Sequence, residues 1–543
     1  MENDLKSATS NAPLFNGNKI VGYDMVAAIT QASLNTQLSL LWPMLDKSHR
    51  NMCWAFKRED PEVGFEVNYS FEGEMNAPEV ILGTQTSPNF LVKLCVNIPA
   101  GNFTYSSKKE KKVQINDWKY IFNVDVSFVA IEQNRIQSHG AVPNVVKKML
   151  GNFSDNQFTI RHLLMNFQDA NIAKFDAINS RLPLPEGVPK DFLVLFQTGL
   201  TNYFRDLAKT DHPYILGYSI ESRSPASDPS IRPTFAPTKG TYWIFFEPDQ
   251  ARQSQSALNF LLATGSRTLP PKTEPGFKNN WVTGNEYDGR FVVASETFFD
   301  MFILPGLQRA LDRQIVGYGK DNHTYFSERG GVNWQKTETP SKGIPHWKYA
   351  FSTSSSWDVK DVKVVATPIH CQHGFNNNGW FSIDLENQDA SRAVIKLNGS
   401  FATRHDMLCH PLGIKETFWA TTEVDWSGKI TLDGGTLGIV NLTPEINIGA
   451  TKNAKGGNWA GKADLSLIPS NKENLDRMSK WINDNFMSEL GSLKNFLGNV
   501  NSRFVLPAGA IFAFKNPQFD SYQNLLVDVT YKTQSPKEMI NNV

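Results

Sequence analysis

Long runs of strict alternation constrain this chain more than any motif does. Phe65, Val67, Tyr69 and Phe71 alternate with Glu66, Asn68, Ser70 and Glu72. Phe90, Val92, Leu94, Val96 and Ile98 repeat the pattern, with Lys93 and Asn97 among the residues between them. Tyr120, Phe122, Val124, Val126 and Phe128 do so around Asn123, Asp125 and Ser127. A period of two with one apolar face predicts antiparallel strands. Turns marked by Gly, Asn and Pro are expected between them, as at Pro99-Ala100-Gly101-Asn102. Further strands are expected over 214–220, 241–246, 504–514 and 525–531. The stretch 325–469 is also strand-rich, with Phe381, Ile383 and Leu385, then Ala393, Ile395 and Leu397, in alternation. Strands this long accumulate twist, so the sheet must curl, and its apolar inner face must be covered.

Helices supply the cover. Residues 24–43 hold no charge beyond Asp24 and read as a helix, with Asp24 as N-cap and Pro43 at the exit. An ordinary surface helix keeps Lys and Glu on its wet face; here that face carries only Ser, Thr, Gln and Asn. Such a helix is expected to be enclosed, either as a plain core element or wrapped by a curved sheet with a ligand between. More helix is expected over 191–207 and, broken at Pro305, over 295–311. A second long helix starts at Ser470, where Glu473 completes a capping box. Leu475, Met478, Ile482, Phe486, Leu490, Leu493 and Leu497 form its one-sided apolar stripe.

Each half therefore runs helix, long strands, helix, closing strands. The expected fold class is α+β, with two modules, each a strongly curved antiparallel sheet rolled around long helices. Their expected bounds are 19–269 and 290–535, joined by a Pro/Gly/Asn-rich linker at 270–289. A trough not filled by side chains would be an elongated apolar groove suited to acyl chains. Its expected lining is Met25, Ile29, Leu34, Leu38 and Leu41 facing Phe122, Val124 and Val126. In the second module, Leu475, Met478, Ile482, Phe486 and Leu490 would line it.

Bulk properties narrow the function. Lys plus Arg and Asp plus Glu both number 54, so no net field draws the chain to nucleic acid or to an anionic membrane. The basic run Lys108-Lys109-Glu110-Lys111-Lys112 reads as a solvated hairpin tip. Cys53, Cys95, Cys371 and Cys409 lie far apart and predict free, mostly buried thiols of a reducing compartment. Residues 1–18 lack a basic region followed by an apolar one. The expectation is a chain made in the cytoplasm without a signal peptide, released if at all by lysis or a non-classical route.

Four short stretches resemble one known family. Gly22-Tyr23-Asp24-Met25-Val26 with Asn35 resembles the opening Gly-Trp-Asp helix of the clostridial P-forty-seven and OrfX proteins of the tubular lipid-binding (TULIP) superfamily. Ile215-Leu216-Gly217-Tyr218 followed by Ser256-Ala257-Leu258-Asn259-Phe260-Leu261 resembles its Gly-Tyr and Leu-Asn-aromatic-Leu elements. The segment 298–307 with Leu304-Pro305 resembles its mid-chain helix. Leu506-Pro507-Ala508-Gly509, running on to Phe512-Ala513-Phe514-Lys515-Asn516-Pro517, resembles its C-terminal signature. Tyr23 stands where the family usually has Trp, and the linker after Pro270 is long, as in a divergent member. The resemblance implies lipid-binding architecture in a toxin-associated gene cluster, as an accessory or insecticidal component, and no catalytic residues.

No Walker-type, His-Glu-x-x-His, Gly-x-Ser-x-Gly or Cys-x-x-Cys pattern occurs. His370, Cys371 and His373 with His405, Cys409 and His410 gather metal-ligating chemistry in about forty residues. Their intervals match no zinc pattern, and a strand would send His370 and His373 to opposite faces, so structural histidines are expected. The sequence thus predicts a non-enzymatic lipid-binding protein without a cofactor other than a bound lipid or fatty acid. Lipids or a membrane surface would be its partners, with toxin or sibling cluster proteins beside them. The alternatives are an interaction scaffold with a filled groove, or a membrane-acting toxin, although no strand shows the outer apolar band of a barrel.

Overall fold

The computed structural model describes residues 22–44, 47–60, 64–83, 92–106, 109–131, 138, 158–166, 175–184, 186, 191–207, 215–222, 239–264, 267–269, 281–282, 288–305, 307–308, 316–317, 327–328, 334–339, 346–364, 367–409, 416–434, 440–449, 452–457 and 512–531.

The uncharged stretch is two elements. Strand β1 (Met25–Thr30) passes directly into helix α1 (Gln31–Leu41). Thr30 is extended and its hydroxyl accepts from Ser33 N, so Thr30, not Asp24, caps the helix. All six residues of β1 are buried. A strand buried on both faces reads as one apolar run, which periodicity alone cannot separate from a buried helix. Met25 and Ile29 therefore sit in a sheet rather than on a helix over a groove. The short helix α2 (Lys47–Arg50) follows.

Next come β2 (Asn51–Asp60), β3 (Phe65–Glu74), β4 (Glu79–Leu82), β5 (Val92–Ser106), β6 (Glu110–Ile131), β7 (Phe158–Asn166), helix α3 (Phe192–Leu207) and β8 (Ile215–Ser222). The sheet order is β2-β3-β5-β6-β7-β8, antiparallel, with β4 also on β5. Of the 108–112 run, Lys109 to Lys112 are exposed, and Glu110, Lys111 and Lys112 are the first residues of β6, paired with the end of β5. Pro99–Asn102 is not a turn. It lies inside β5, with Ile98 opposite Trp118 and Ala100 opposite Asn116 in one unbroken register. Opposite Pro99, which has no N–H to give, Asp117 takes a positive φ of 56°.

After β9 (Lys239–Phe245), β10 (Ala257–Ala263) and β11 (Gly289–Val293), residues 296–303 form a π-helical turn, continued by Leu304 and Pro305. Two short strands, β12 (Val316–Gly317) and β13 (Ser327–Glu328), pair with each other. Then β14 (Gln335–Glu338), β15 (His346–Val364), β16 (Thr367–Asn387), β17 (Ala393–Cys409), β18 (Glu416–Gly434) and β19 (Val440–Ile448) build a second antiparallel sheet in chain order. β20 (Lys452–Gly457) also pairs with β18. β21 (Phe512–Phe519) and β22 (Leu525–Tyr531) close the described chain.

A third sheet joins the ends of the sequence in the order β21-β22-β11-β1-β10-β9. β1 lies between β10 and β11, so Met25 faces Leu262 on one side and Val293 on the other. Met25, Ala27 and Ile29 point into the main core; Val26 and Ala28 join Tyr23, Trp243, Leu261 and Val292 on the opposite face. Trp281 and Val282 pack into that second face, and Trp281 Nε1 donates to Asn259 Oδ1 at 2.9 Å. The stretch 270–289 is thus more than a spacer, because it carries two core residues.

The two long-stranded sheets are curled, and glycines facing aromatics make room for it. Gly73 lies opposite Gly101, and a Cβ on either would come within 2.5 Å of the Phe71 ring. Gly379 sits in register between Phe351 and Phe401, whose rings stack 6.1 Å apart across it. A Cβ on Gly399 would lie 2.4 Å from the Trp426 ring. An aromatic laid over a strand glycine fills the pleat while letting the sheet bend there.

Asp24 ties these parts together. Its carboxylate is fully buried and accepts from Thr264 N (2.6 Å), Thr264 Oγ1 (3.0 Å) and Thr297 Oγ1 (2.9 Å). Arg267 stands 3.2 Å away. The residue before β1 is thereby fixed to the end of β10 and to the π-helical turn. Asp24→Ala leaves three donors unmatched and removes the anion from a partly exposed Arg267, and leaving buried donors unsatisfied costs about 1–3 kcal/mol. Urea denaturation should show a loss of about that size, and a loss below about 1 kcal/mol would remove Asp24 as the anchor.

The polar face of α1 also has a structural use. Asn35 donates to Val80 O (3.1 Å) and accepts from Val80 N (2.7 Å), and Gln31 accepts from Leu82 N (2.8 Å). One helical turn apart, the two amides serve β4 as a neighbouring strand would. Asn35→Leu should speed hydrogen exchange at the Val80 and Leu82 amides at least tenfold and cost about 1–3 kcal/mol. Unchanged exchange there would mean that another group protects β4.

Candidate functional site

The apolar inner face of β2, β3, β5 and β6 is roofed by α3, not by the 24–43 stretch. Every third or fourth residue of α3 is apolar and turned inward: Phe192, Leu195, Phe196, Leu200 and Phe204 are buried. Phe192 meets the Phe103 ring edge-on at 4.7 Å, and Phe196 meets Trp118 at 5.0 Å. Phe204 lies 5.3 Å from Phe122. Gly199 lets the helix down onto Trp54, since a Cβ there would stand 2.4 Å from the indole.

The helix runs antiparallel to β2. Asp191 at its start is 3.7 Å from Arg58, Gly199 lies on Trp54, and Tyr203 sits beside Cys53. Burial pushes the Tyr203 phenol up, and the nearby Cys53 adds to it. Along this seam Phe56 of β2, Tyr105 of β5, and Leu193, Tyr203 and Leu207 of α3 pack on the core yet stay partly exposed. Two buried donors, Trp54 Nε1 and Arg50 Nε, find no hydrogen-bond partner among the described residues.

The other flank is closed by residues 175–184. Phe175 stacks on Tyr120 at 5.4 Å, and Trp118 Nε1 donates to Pro183 O at 3.0 Å. Lys93 bonds Asp176, whose carboxylate also accepts from Asn179 Nδ2 (2.8 Å), Asn179 N and Ile178 N. Burial pushes this carboxyl up, but the bonds from Lys93 and Asn179 outweigh it and hold it at about 2. Beneath, Cys95 is buried and its thiol is pushed up to about 12 by burial against the opposing pull of Lys119. That thiol is not a nucleophile near neutral pH.

Of the residues expected to line a groove, Leu34, Leu38, Phe122 and Val124 are core residues at 7% exposure or less. They belong to the main core, with α3 lying over the strands. Leu41 ends α1 and Val126 pairs with Met165 in the ladder, their side chains being outside the description. Leu475, Met478, Ile482, Phe486 and Leu490 lie outside the described residues, as do His410 and residues 504–511. Cys371 is in register with Cys409, and Phe375 with His405; the side chains at 370–373, 405 and 409 are likewise not described. Among the described residues no group of three or more His, Cys, Asp or Glu could hold a metal ion. Cys53 is exposed, against the expectation of burial. Sequence reasoning missed Trp54, Arg50 and α3 as the roof; for α3, the Gly199 notch in its apolar stripe was the available signal.

In the second long sheet, Phe299 of the π-helical turn packs 4.5 Å from Trp347, beside Ile383, Ile395 and Ile430. A shallow cleft of about 400 Å³ opens elsewhere, lined by Asn35, Thr36, Ser39, Ala77, Pro78 and Glu79. Four of its six lining residues are polar, which does not suit an acyl chain.

The Asp176 carboxyl, lower in the folded chain than the ordinary 3.8, stabilises the fold above pH 4, and that contribution is lost as pH falls towards 2. Asp176→Asn should therefore cost about 2 kcal/mol at pH 7 and almost nothing at pH 2. A stability difference independent of pH would contradict this.

No family model matches the chain, and no curated protein does. Among solved structures, the P47 protein of Clostridium botulinum A2 is similar at a TM-score of 0.40 and 13% identity, over 94% of this chain and 97% of that one. A lipopolysaccharide binding protein is similar at a TM-score of 0.30 and 10% identity, over 95% of this chain and 100% of that one. TM-scores this low establish neither family nor function.

Proposed function

We propose that this chain is a non-enzymatic lipid-binding protein that holds an acyl chain in the seam between α3 and the inner face of its curled sheet. One observation carries the reading. A continuous apolar and aromatic inner face, from Trp54 through Phe71 and Phe103 to Tyr120, is closed by a single helix whose flank stays partly exposed. A narrow apolar slot of this kind suits a flexible chain, which gains about 0.8 kcal/mol for each methylene it buries. On this reading residues 19–269 and 290–535 are two TULIP-like modules that share the sheet containing β1. The sequence resemblance adds the setting of a toxin-associated gene cluster, with the chain as accessory or insecticidal component.

A scaffold with a filled trough is the second reading. It is favoured by the rings of Phe192, Phe196 and Trp118, which fill the centre of the trough beneath α3. Organic extraction of the purified chain followed by mass spectrometry separates the two. Recovery of acyl lipid at near one per chain, or uptake of added palmitate, is the expected result. A chain that yields no lipid and takes up none, yet forms complexes with other proteins of its gene cluster, would be a scaffold.

A further inference from the structure

The inner face of β2 carries two groups that its apolar surroundings do not explain. Arg50 ends α2 and continues the β2 ladder, its carbonyl accepting from Met75 N at 2.9 Å. Along the inward positions it is followed by Met52, Trp54 and Phe56. The Arg50 Nε is buried without a partner among the described residues, although the residue as a whole is half-buried. Trp54 is 5% exposed, and its indole N–H is also without a partner among the described residues. A buried donor left unbonded is costly, and native structures keep few of them.

The chemistry of the pair restricts what could satisfy it. An indole N–H and a guanidinium are donors only, and neither can accept. Whatever meets them must bring acceptor oxygens, and at Arg50 negative charge is favoured as well. Around Trp54 the packing is aromatic, with Phe71, Phe103 and Phe196 in ring contact with it, and Phe56, Tyr203 and Leu207 lie partly exposed on the core beside α3. Arg50 and Trp54 occupy inward positions four residues apart in one ladder, so a single guest lying along β2 passes both donors.

We infer that Arg50 and Trp54 form the polar end of the seam beside α3, a site for an acyl lipid whose head presents anionic or carbonyl oxygens. This inference rests on the lipid-binding reading and names the head group chemistry that the seam would select. A free fatty acid and a monoacyl phospholipid share that chemistry.

The test titrates palmitate, and separately palmitoyl lysophosphatidylglycerol, into the full chain and into two variants, by calorimetry and native mass spectrometry. Arg50→Met removes the cation and keeps the stem; Trp54→Phe removes the N–H and keeps a ring. Arg50→Met should weaken binding of at least one ligand tenfold or more, and Trp54→Phe about three- to tenfold, as loss of a charged and a neutral hydrogen bond would. Whichever ligand suffers the larger loss identifies the head group. The unliganded Trp54→Phe chain should melt within about 3 °C of the parent, because it loses an unpaired donor along with some ring volume. If the parent binds but either variant binds both ligands within twofold of it, the inference is overturned and lipid binding stands. If the parent takes up neither ligand, the lipid reading fails with it.

Discussion

The position of β1 governs the rest of the molecule. It is six residues long, buried on both faces, and paired on one side with β10 and on the other with β11, each more than 220 residues away in sequence. Closing a loop of that length costs about 2 kcal/mol more than closing one of twenty residues. That cost has to be met by burial on both faces, and the chain concentrates its least polar strands there: all seven residues of β10 and four of the five in β11 are buried. The Asp24 carboxylate sits at the same junction, and its partners come from the end of β10 and from the turn that leads into the second long sheet. The order of strands in that sheet, rather than a flexible linker, is what sets the two halves of the sequence against each other.

Side-chain amides recur where one element must meet the edge of another. Asn35 reaches Val80 with both its donor and its acceptor, and Asn387 does the same to Phe519, donating to its carbonyl at 2.9 Å and accepting from its N–H at 2.8 Å. An amide has the same donor–acceptor pair as a peptide group, so it can end a ladder without leaving a buried group unbonded. A charged side chain could satisfy only one half of the edge. That suits the uncharged Gln31 and Asn35 of α1 to the edge of β4.

Much of the fold was legible in the alternation. β3, β6, β17 and β22 fall where period two placed them, and α3 begins within one residue of the expected start. Three features were not. The Met25–Ile29 run reads as helix or strand alike, because burial on both faces erases the alternation that would have told them apart. Pro99–Asn102 has turn composition, but Gly101 is there to pass beneath the Phe71 ring and Pro99 faces the one partner residue that turns its backbone aside. The roof of the trough was assigned to the wrong helix, because a sequence shows which helix is apolar on one face but not which sheet lies under it. Trp54 and Arg50 carried no sequence signal at all, since an unpaired donor is a property of surroundings assembled from β2, β3, β5 and α3.

The buried and half-buried carboxylates among the described residues have named partners, Glu247 included, which accepts from Asp249 N at 3.3 Å and from Arg252 at 3.4 Å. Asp24 is held by two threonines and an arginine. Asp528 accepts from Arg290 at 3.0 Å and from Asn516 at 2.9 Å. Asp520, raised by burial against bonds from Asn524 and Tyr522, closes the turn between β21 and β22. Asp176 is held low by Lys93 and Asn179. Each of these carboxylates is bonded at its own position and so helps to hold the backbone around it. What the inner face of the first long sheet offers instead is hydrocarbon, ring edges and two donors. Such a surface is held together by burial, and its two donors call for acceptors that the apolar packing around Trp54 does not supply.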